Sequence, residues 1–204
     1  MYLKMFSVFI FFLKVINSLK VAGNYIRNYL YLNLTNSTYL TFPNINGGLI
    51  IRGKGILTIG KNCKINSSLI ENPVGLSNKC LFYVSKGAKI LIGDNVGISN
   101  SLFYANSSII IGNDVLIGGG CQVLDNDFHS IYYEERKQNL EEFVKTNEIV
   151  IKDGAFIGSN TIILKGVIIG ERAVVGAGSI VTKSIPIEEI WGGNPAQFIR
   201  KIYL

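Results

Sequence analysis

The chain contains no aspartate or glutamate before Glu71, whereas eight lysines and arginines precede it (Lys4, Lys14, Lys20, Arg27, Arg52, Lys54, Lys61, Lys64). Residues 1–70 therefore carry a net +8, and residues 71–204, with twelve cations against fourteen acids, carry −2. That split excludes a uniformly basic nucleic-acid binder, and it gives the first third of the chain a preference for an anionic neighbour. Proline is scarce, 4 of 204, so the 22 glycines do not belong to a collagen-like sequence. The three cysteines (Cys63, Cys80, Cys121) have no paired spacing and build no disulfide framework. There is one histidine, His129, so no metal site needing several imidazoles is available within one chain. Any imidazole proton acceptor must be His129. Only 17% of residues are charged and 48% are hydrophobic, which excludes a disordered chain and fits one modest domain with a real core.

No apolar run reaches the roughly 20 residues that a spanning helix needs. The run Met5 to Leu13 is bounded by Lys4 and Lys14, and no small-x-small cleavage site follows it cleanly. Met1, Met5, Val8, Phe12, Val15, Leu19, Ala22, Ile26 and Tyr29 recur at alternating spacings of four and three. They share one stripe of a helix. Two readings stay open: a cap or oligomer helix packed on the next domain, and a helix lying on a membrane with its lysines meeting anionic lipid.

The body of the chain repeats every six residues. Ile151, Ile157, Ile163, Ile169, Val175 and Val181 form one unbroken series, with Gly158, Gly170 and Gly176 directly after three of them. Four residues after the repeat position come small or apolar side chains: Ala155, Thr161, Val167, Ala173 and Ser179. The same phase holds at Ile111, Ile117 and Val123, at Ile92 and Ile98, and at Ile59 and Ile65. It slips between Ile98 and Ile111 and blurs between Glu71 and Ala88. A period of six is neither helical nor that of a simple strand. It fits a short strand plus a turn, with glycine easing a tight corner, so that three units close one triangular coil and stacked coils bury an apolar prism. β-Branched residues suit the inward position. Cys63 and Cys121 fall at the small inward position and read as packing thiols.

This pattern resembles the hexapeptide-repeat acyltransferases, from about Ile56 to Lys201. The likeness is most specific in VIIGERAVVGAGSIVTKSIP followed by WGGNPAQFIRKI, which look like the coenzyme A-binding coils and tail of sugar and polysaccharide O-acetyltransferases. DNDFHSI with ILKGVIIG is more similar to capsule or exopolysaccharide O-acetyltransferases. The resemblance implies a mainly β fold, a left-handed parallel β-helix of hexapeptide repeats. An N-terminal helical cap would occupy 1–45, the β-helix 46–186 and a C-terminal tail 187–204. It also implies a homotrimer with sites between subunits, acetyl-CoA as donor without a metal, and work in the cytoplasm, with membrane contact through residues 1–30 as one option.

The repeat vanishes between Val123 and Ile149, where a polar loop (124–148) contains His129. A long loop expelled from a regular solenoid is usually functional. D-x-D-x-H matches the position of the family's catalytic histidine, which would accept a proton from an acceptor hydroxyl in direct transfer. A base so placed is worth roughly 10²–10⁴-fold. Asp125, Asp127 and Glu148 are candidates to orient the imidazole, with Asp127 favoured. The resemblance points to Gly158, Ser159, Gly176, Ala177, Thr182, Lys183, Arg200 and Lys201 for the coenzyme. For the acceptor it points to Asn100, Asn126, Arg136 and Phe156. Lys165 replaces a proline common at that corner and reads as neutral. The function implied is O-acetylation of a sugar in a surface polysaccharide or its precursor. The alternatives are N-acetylation of an amino (nucleotide-)sugar and a non-enzymatic β-helix scaffold. One histidine argues against the hexapeptide carbonic anhydrases, whose zinc needs three.

Overall fold

The computed structural model describes residues 2–70, 72–74 and 79–203, and the side chains of all of these except 2–13 and 141. One long helix, α1 (Tyr2–Leu34), precedes a three-sided prism of parallel strands. The first face stacks Ser37–Tyr39, Ile56–Ile59, Lys89–Ile92, Ser108–Ile111, Ile149–Ile151 and Ile168–Ile169. The second stacks Asn44–Gly47, Lys64–Ser67, Gly97–Ser99, Leu116–Ile117, Phe156–Ile157 and Val174–Val175. Ile50–Gly53, Leu81–Val84, Leu102–Ala105, Gln122–Leu124, Ile162–Leu164 and Ile180–Val181 form the third. The chain visits the faces in this order, coil after coil. An antiparallel pair, Glu189–Gly192 with Gln197–Lys201, continues the second face beyond the last coil. The first strand begins at Ser37, inside the segment expected to be a cap.

Every Ile and Val of the six-residue series, from Ile59 to Val181, is buried, as are the small residues four positions on. The phase slips because corner lengths change in the third coil, with five residues from Ile98 to the inward Phe103 and eight from Phe103 to Ile111, and the third face there carries two aromatics in its inward column. Phe82 and Phe103 stack with centroids 5.0 Å apart and fill the prism where β-branched residues fill it elsewhere. Polar residues at the small inward positions are satisfied by corner carbonyls. Thr161 Oγ1 donates to Gly158 O (2.7 Å), Ser179 Oγ to Gly176 O (2.5 Å) and Cys121 Sγ to Gly158 O (3.2 Å).

Corner glycines are needed for a different reason from the one the sequence suggested. Gly118 and Gly158 do not have positive φ; a Cβ at Gly158 would lie 2.5 Å from Ala177 N, and one at Gly118 2.6 Å from Ser159 N. The next coil's backbone takes the space of the side chain. The left-handed residues of the first-to-second-face edge lie two positions later and are mostly not glycine: Asn62, Asn95, Asp114, Arg172 and Glu188. Asn and Asp tolerate that conformation best among side-chain-bearing residues.

The helix meets the prism differently from the expected packing. Its inner face is formed by the last three turns, where Asn28 and Leu32 are buried. Asn28 Nδ2 donates to Gly47 O (2.9 Å), and its Oδ1 accepts from Leu49 N (3.0 Å). The predicted stripe points elsewhere: Val15, Leu19, Ala22, Ile26 and Tyr29 are all exposed. Met1 lies outside the described residues, and Met5, Val8 and Phe12 outside the described side chains.

Candidate active site

The loop leaves the prism at the edge between the third and first faces, after the fourth coil, and returns to start the fifth. Its base is closed by short antiparallel pairing. Asp127 N donates to Lys145 O (3.2 Å), Asn147 N donates to Asp125 O (2.9 Å), and Asn126 bridges Thr146. Asp125 is fully buried. Its carboxylate accepts from the backbone N–H groups of Asn106 (2.8 Å), Ser107 (2.7 Å) and Ser108 (2.9 Å), and from Asn126 Nδ2 (3.2 Å). It clamps the loop to the corner of the coil below.

Asp127 meets His129 through its backbone carbonyl, which accepts from His129 N (2.7 Å). Its carboxylate pairs with Lys165 Nζ at 2.5 Å, so the expectation that it orients His129 is not met by this arrangement. The reason lies in Lys165, read as neutral from the sequence: it sits one coil above and provides the only cation paired with the loop among the described residues. Glu148 is exposed.

Just beyond, Asn126 is buried and makes an Asx turn, with Phe128 N donating to its Oδ1 (2.9 Å). This holds Phe128 at φ +61°, in the left-handed region, at a conformational cost of roughly 1–2 kcal/mol. The ring then packs edge-on against Tyr104 (centroids 4.8 Å apart), which in turn stacks on Tyr83 (4.3 Å). These three aromatics, with Ser85, Asn106 and Thr146, line a cleft of about 320 Å³ on the outside of the third face. The sequence carried the signal in the paired motifs LFYV and LFYA at matching register, which the sequence reading did not use.

His129 follows Phe128 and is exposed, and its imidazole makes no hydrogen bond among the described residues. It lines a second cleft, also about 320 Å³, with Ser130, Glu135, Arg136 and Leu140. Phe128 and Val144 line both clefts and separate them. The loop's short helix α2 (Tyr133–Lys137) contributes Glu135 and Arg136 to the same cleft. Arg136 Nη1 donates to the carbonyls of Ser130 (2.8 Å) and Ile131 (3.1 Å), and the buried Ser130 hydroxyl binds Glu135. Arg136 thus positions the backbone after His129, and that Nη1 is already engaged rather than free for an acceptor.

The remaining predicted residues fall in separate places. Asn100 is fully buried with Nδ2 on Asn72 O (2.6 Å), so an acceptor cannot reach it; it turns a corner at φ +40°. Asn126 is consumed by the Asx turn. Phe156 stands 46% exposed on the second face, away from the loop's edge. Gly158, Ser159, Gly176 and Ala177 share the edge between the second and third faces, with Gly158 packed on Ala177. Thr182 and Lys183 lie exposed at the loop's own edge, two coils above its base. Arg200 and Lys201 are exposed on the final strand, pairing with Ile190 and Glu189. In one chain the candidate residues therefore fall on two different edges of the prism and on its final strand.

The cysteines offer no reactive nucleophile. All three are buried. Burial pushes the Cys80 thiol up to about 12 and raises Cys63 and Cys121 as well, so none supplies thiolate near neutral pH.

Residues 148–183 match the family model described as bacterial transferase hexapeptide (six repeats). A putative lipopolysaccharide biosynthesis O-acetyl transferase of Escherichia coli (strain K12) is 31% identical over 157 residues, covering 74% of this chain and 74% of that protein. The chain belongs to the hexapeptide-repeat acyltransferase family. Galactoside O-acetyltransferase of E. coli is 36% identical over 152 residues, 71% of this chain and 64% of that one. A putative acetyltransferase of Saccharomyces cerevisiae is 38% identical over 128 residues, 59% and 60%. The chain spans about half to two thirds of the length of several such curated relatives. A hexapeptide-repeat-containing acetyltransferase from Vibrio cholerae superposes with a TM-score of 0.58 at 24% identity, covering 89% of this chain and 82% of that one. A variant of the N-acyltransferase AntD from Bacillus cereus gives 0.64 at 24%, covering 85% and 87%. The fold is the family's left-handed parallel β-helix, preceded here by α1.

Proposed function

We propose that the protein is an acetyl-CoA-dependent O-acetyltransferase whose acceptor is a sugar hydroxyl of a surface polysaccharide or its precursor. The single observation that carries this reading is that the clamped loop bearing the chain's only histidine also seats Phe128 against Tyr104 and Tyr83 of the third face, so that an aromatic cleft adjoins the histidine's cleft. Tyr83, Tyr104 and Phe128 offer ring faces and edges, and Ser85, Asn106 and Thr146 offer hydroxyls and an amide beside them. Apolar faces rimmed by neutral hydrogen-bonding groups match the chemistry of a saccharide.

In this mechanism neutral His129 accepts the proton of the acceptor hydroxyl as that oxygen attacks the thioester carbonyl. The new C–O bond forms, the C–S bond breaks, and the proton passes from the imidazole to the departing thiolate. The imidazole is not tethered by a carboxylate in the isolated chain, so its orientation would come from the bound acceptor or from a neighbouring subunit. A homotrimer brings two half-sites together: the loop edge of one prism faces the Gly158, Ser159, Gly176 and Ala177 edge of the next. Corner backbone there would hold the pantetheine arm, with Thr182, Lys183, Arg200 and Lys201 reaching the nucleotide end. Phe156, on the face beside those corners, joins the site from the same neighbour. Acetyl-CoA as donor implies work in the cytoplasm.

The test is acetyl transfer to a panel of free sugars, nucleotide sugars, amino sugars and lipid-linked oligosaccharides. His129→Ala is expected to fold normally and lose at least 10²-fold in turnover. Retained turnover would overturn the role of His129, and transfer confined to amino sugars would replace O-acetylation by N-acetylation.

A further inference from the structure

We infer that α1 lies along an anionic lipid surface, with its apolar stripe in the membrane and the prism held to one side of it. At about 100° per residue the exposed Val15, Leu19, Ala22, Ile26 and Tyr29 fall within one sector of the helix. The side that packs on the prism, through Asn28 and Leu32, lies on one flank, about 120° from the stripe's centre. The stripe is therefore not a core stripe. The prism takes the asparagine side of the helix and touches the stripe at Tyr29, whose ring lies 6.2 Å from that of Phe42, while Val15, Leu19, Ala22 and Ile26 are left outward. Leu19 is 68% exposed and Ile26 58%.

Charge chooses the occupant. Lys14 and Lys20 are exposed and flank the stripe on its two sides, about 120° from its centre. Lysines placed there reach the headgroup level while the apolar side chains sit deeper. The helix carries Lys4, Lys14 and Lys20 and no acid, its Arg27 being turned in against Gly48, and the first coils add exposed Arg52, Lys54, Lys61 and Lys64. None of the described cations among these pairs with a carboxylate. A second copy of the helix would bring like charge against like charge, whereas a bilayer containing acidic phospholipid brings the complementary sign. Among the described residues no helix is long and apolar enough to cross a membrane, and an in-plane helix needs no such length.

The inference stands apart from the proposed chemistry, and its test reads lipid binding alone. The full-length protein is floated with vesicles of phosphatidylcholine, with and without 30 mol% phosphatidylglycerol. Binding is expected to be at least tenfold stronger with the acidic lipid and to weaken as salt rises. Leu19→Glu with Ile26→Glu, and separately Lys14→Glu with Lys20→Glu, should each lower binding at least tenfold without changing the melting temperature. His129→Ala should float like the parent. Equal binding to both vesicle types, or charge-reversed variants that still float, would overturn the inference. So would a Leu19→Glu/Ile26→Glu variant that falls apart into smaller species by sedimentation while still floating, since the stripe would then be a protein interface.

Discussion

Replacing Asp125 tests whether the acid nearest the loop base is a clamp or a partner of the imidazole. In Asp125→Ala the backbone donors of Asn106, Ser107 and Ser108 lose their acceptor at once, and so does Asn126 Nδ2. A hydrogen bond to a charged group contributes about 1.5–3 kcal/mol net, and a buried donor left unmade costs about 1–3 kcal/mol. Ser108 is buried, while Asn106 and Ser107 are only half-buried, so water repairs part of the loss. The expected destabilisation is about 3–6 kcal/mol, a large share of the roughly 5–15 kcal/mol of a typical domain. Asp125→Asn keeps one acceptor oxygen and should cost about 1–3 kcal/mol. Asp127→Asn breaks only a half-exposed ion pair with Lys165, worth at most about 1 kcal/mol. Urea unfolding followed by circular dichroism gives the three values, and limited proteolysis reports release of residues 126–148. If Asp125→Ala costs less than about 1 kcal/mol, or no more than Asp127→Asn, the clamp argument is wrong.

Other consequences follow from the same geometry. Truncating Phe103, stacked on Phe82 in the sealed prism, should cost about 3–5 kcal/mol in the same unfolding assay. Gly158→Val should separate adjacent coils, because its Cβ would meet the backbone of Ala177; a melting temperature equal to the parent's would contradict the space argument. The three buried thiols should resist a disulfide reagent in the native state and react on unfolding. Their raised values also make the native state hold protons that the unfolded chain releases above about pH 9. Stability should therefore fall from about pH 9 towards the Cys80 value of about 12, and a Cys80→Ala variant should show a shallower fall. Tyr104→Ala should raise KM for a sugar acceptor about tenfold and leave that for acetyl-CoA unchanged; equal effects on both would remove the platform from the acceptor site.

The stack of coils was legible because a solenoid is local. Each residue from Ile59 to Val181 in the six-residue series meets its equivalents in the coils above and below, so a period in the sequence is a column in space. The extruded loop was legible for the same reason, as a place where the period fails. His129 was found by scarcity, being the only residue of its kind. Tertiary contacts decided the rest. Asp125, Asp127 and Glu148 are equivalent as letters, and only the position of the corner below and of Lys165 above assigns the first two to structural partners. Asn100 and Asn126 are held as corner and turn residues by hydrogen bonds to the backbone of Asn72 and Phe128. The helical stripe showed the limit most plainly. Periodicity located one face from Val15 to Tyr29, but which side of α1 meets the prism depended on a pair of hydrogen bonds between Asn28 and the backbone at Gly47 and Leu49. Hydrophobicity establishes that a face must be covered, and the contacts across the fold establish by what.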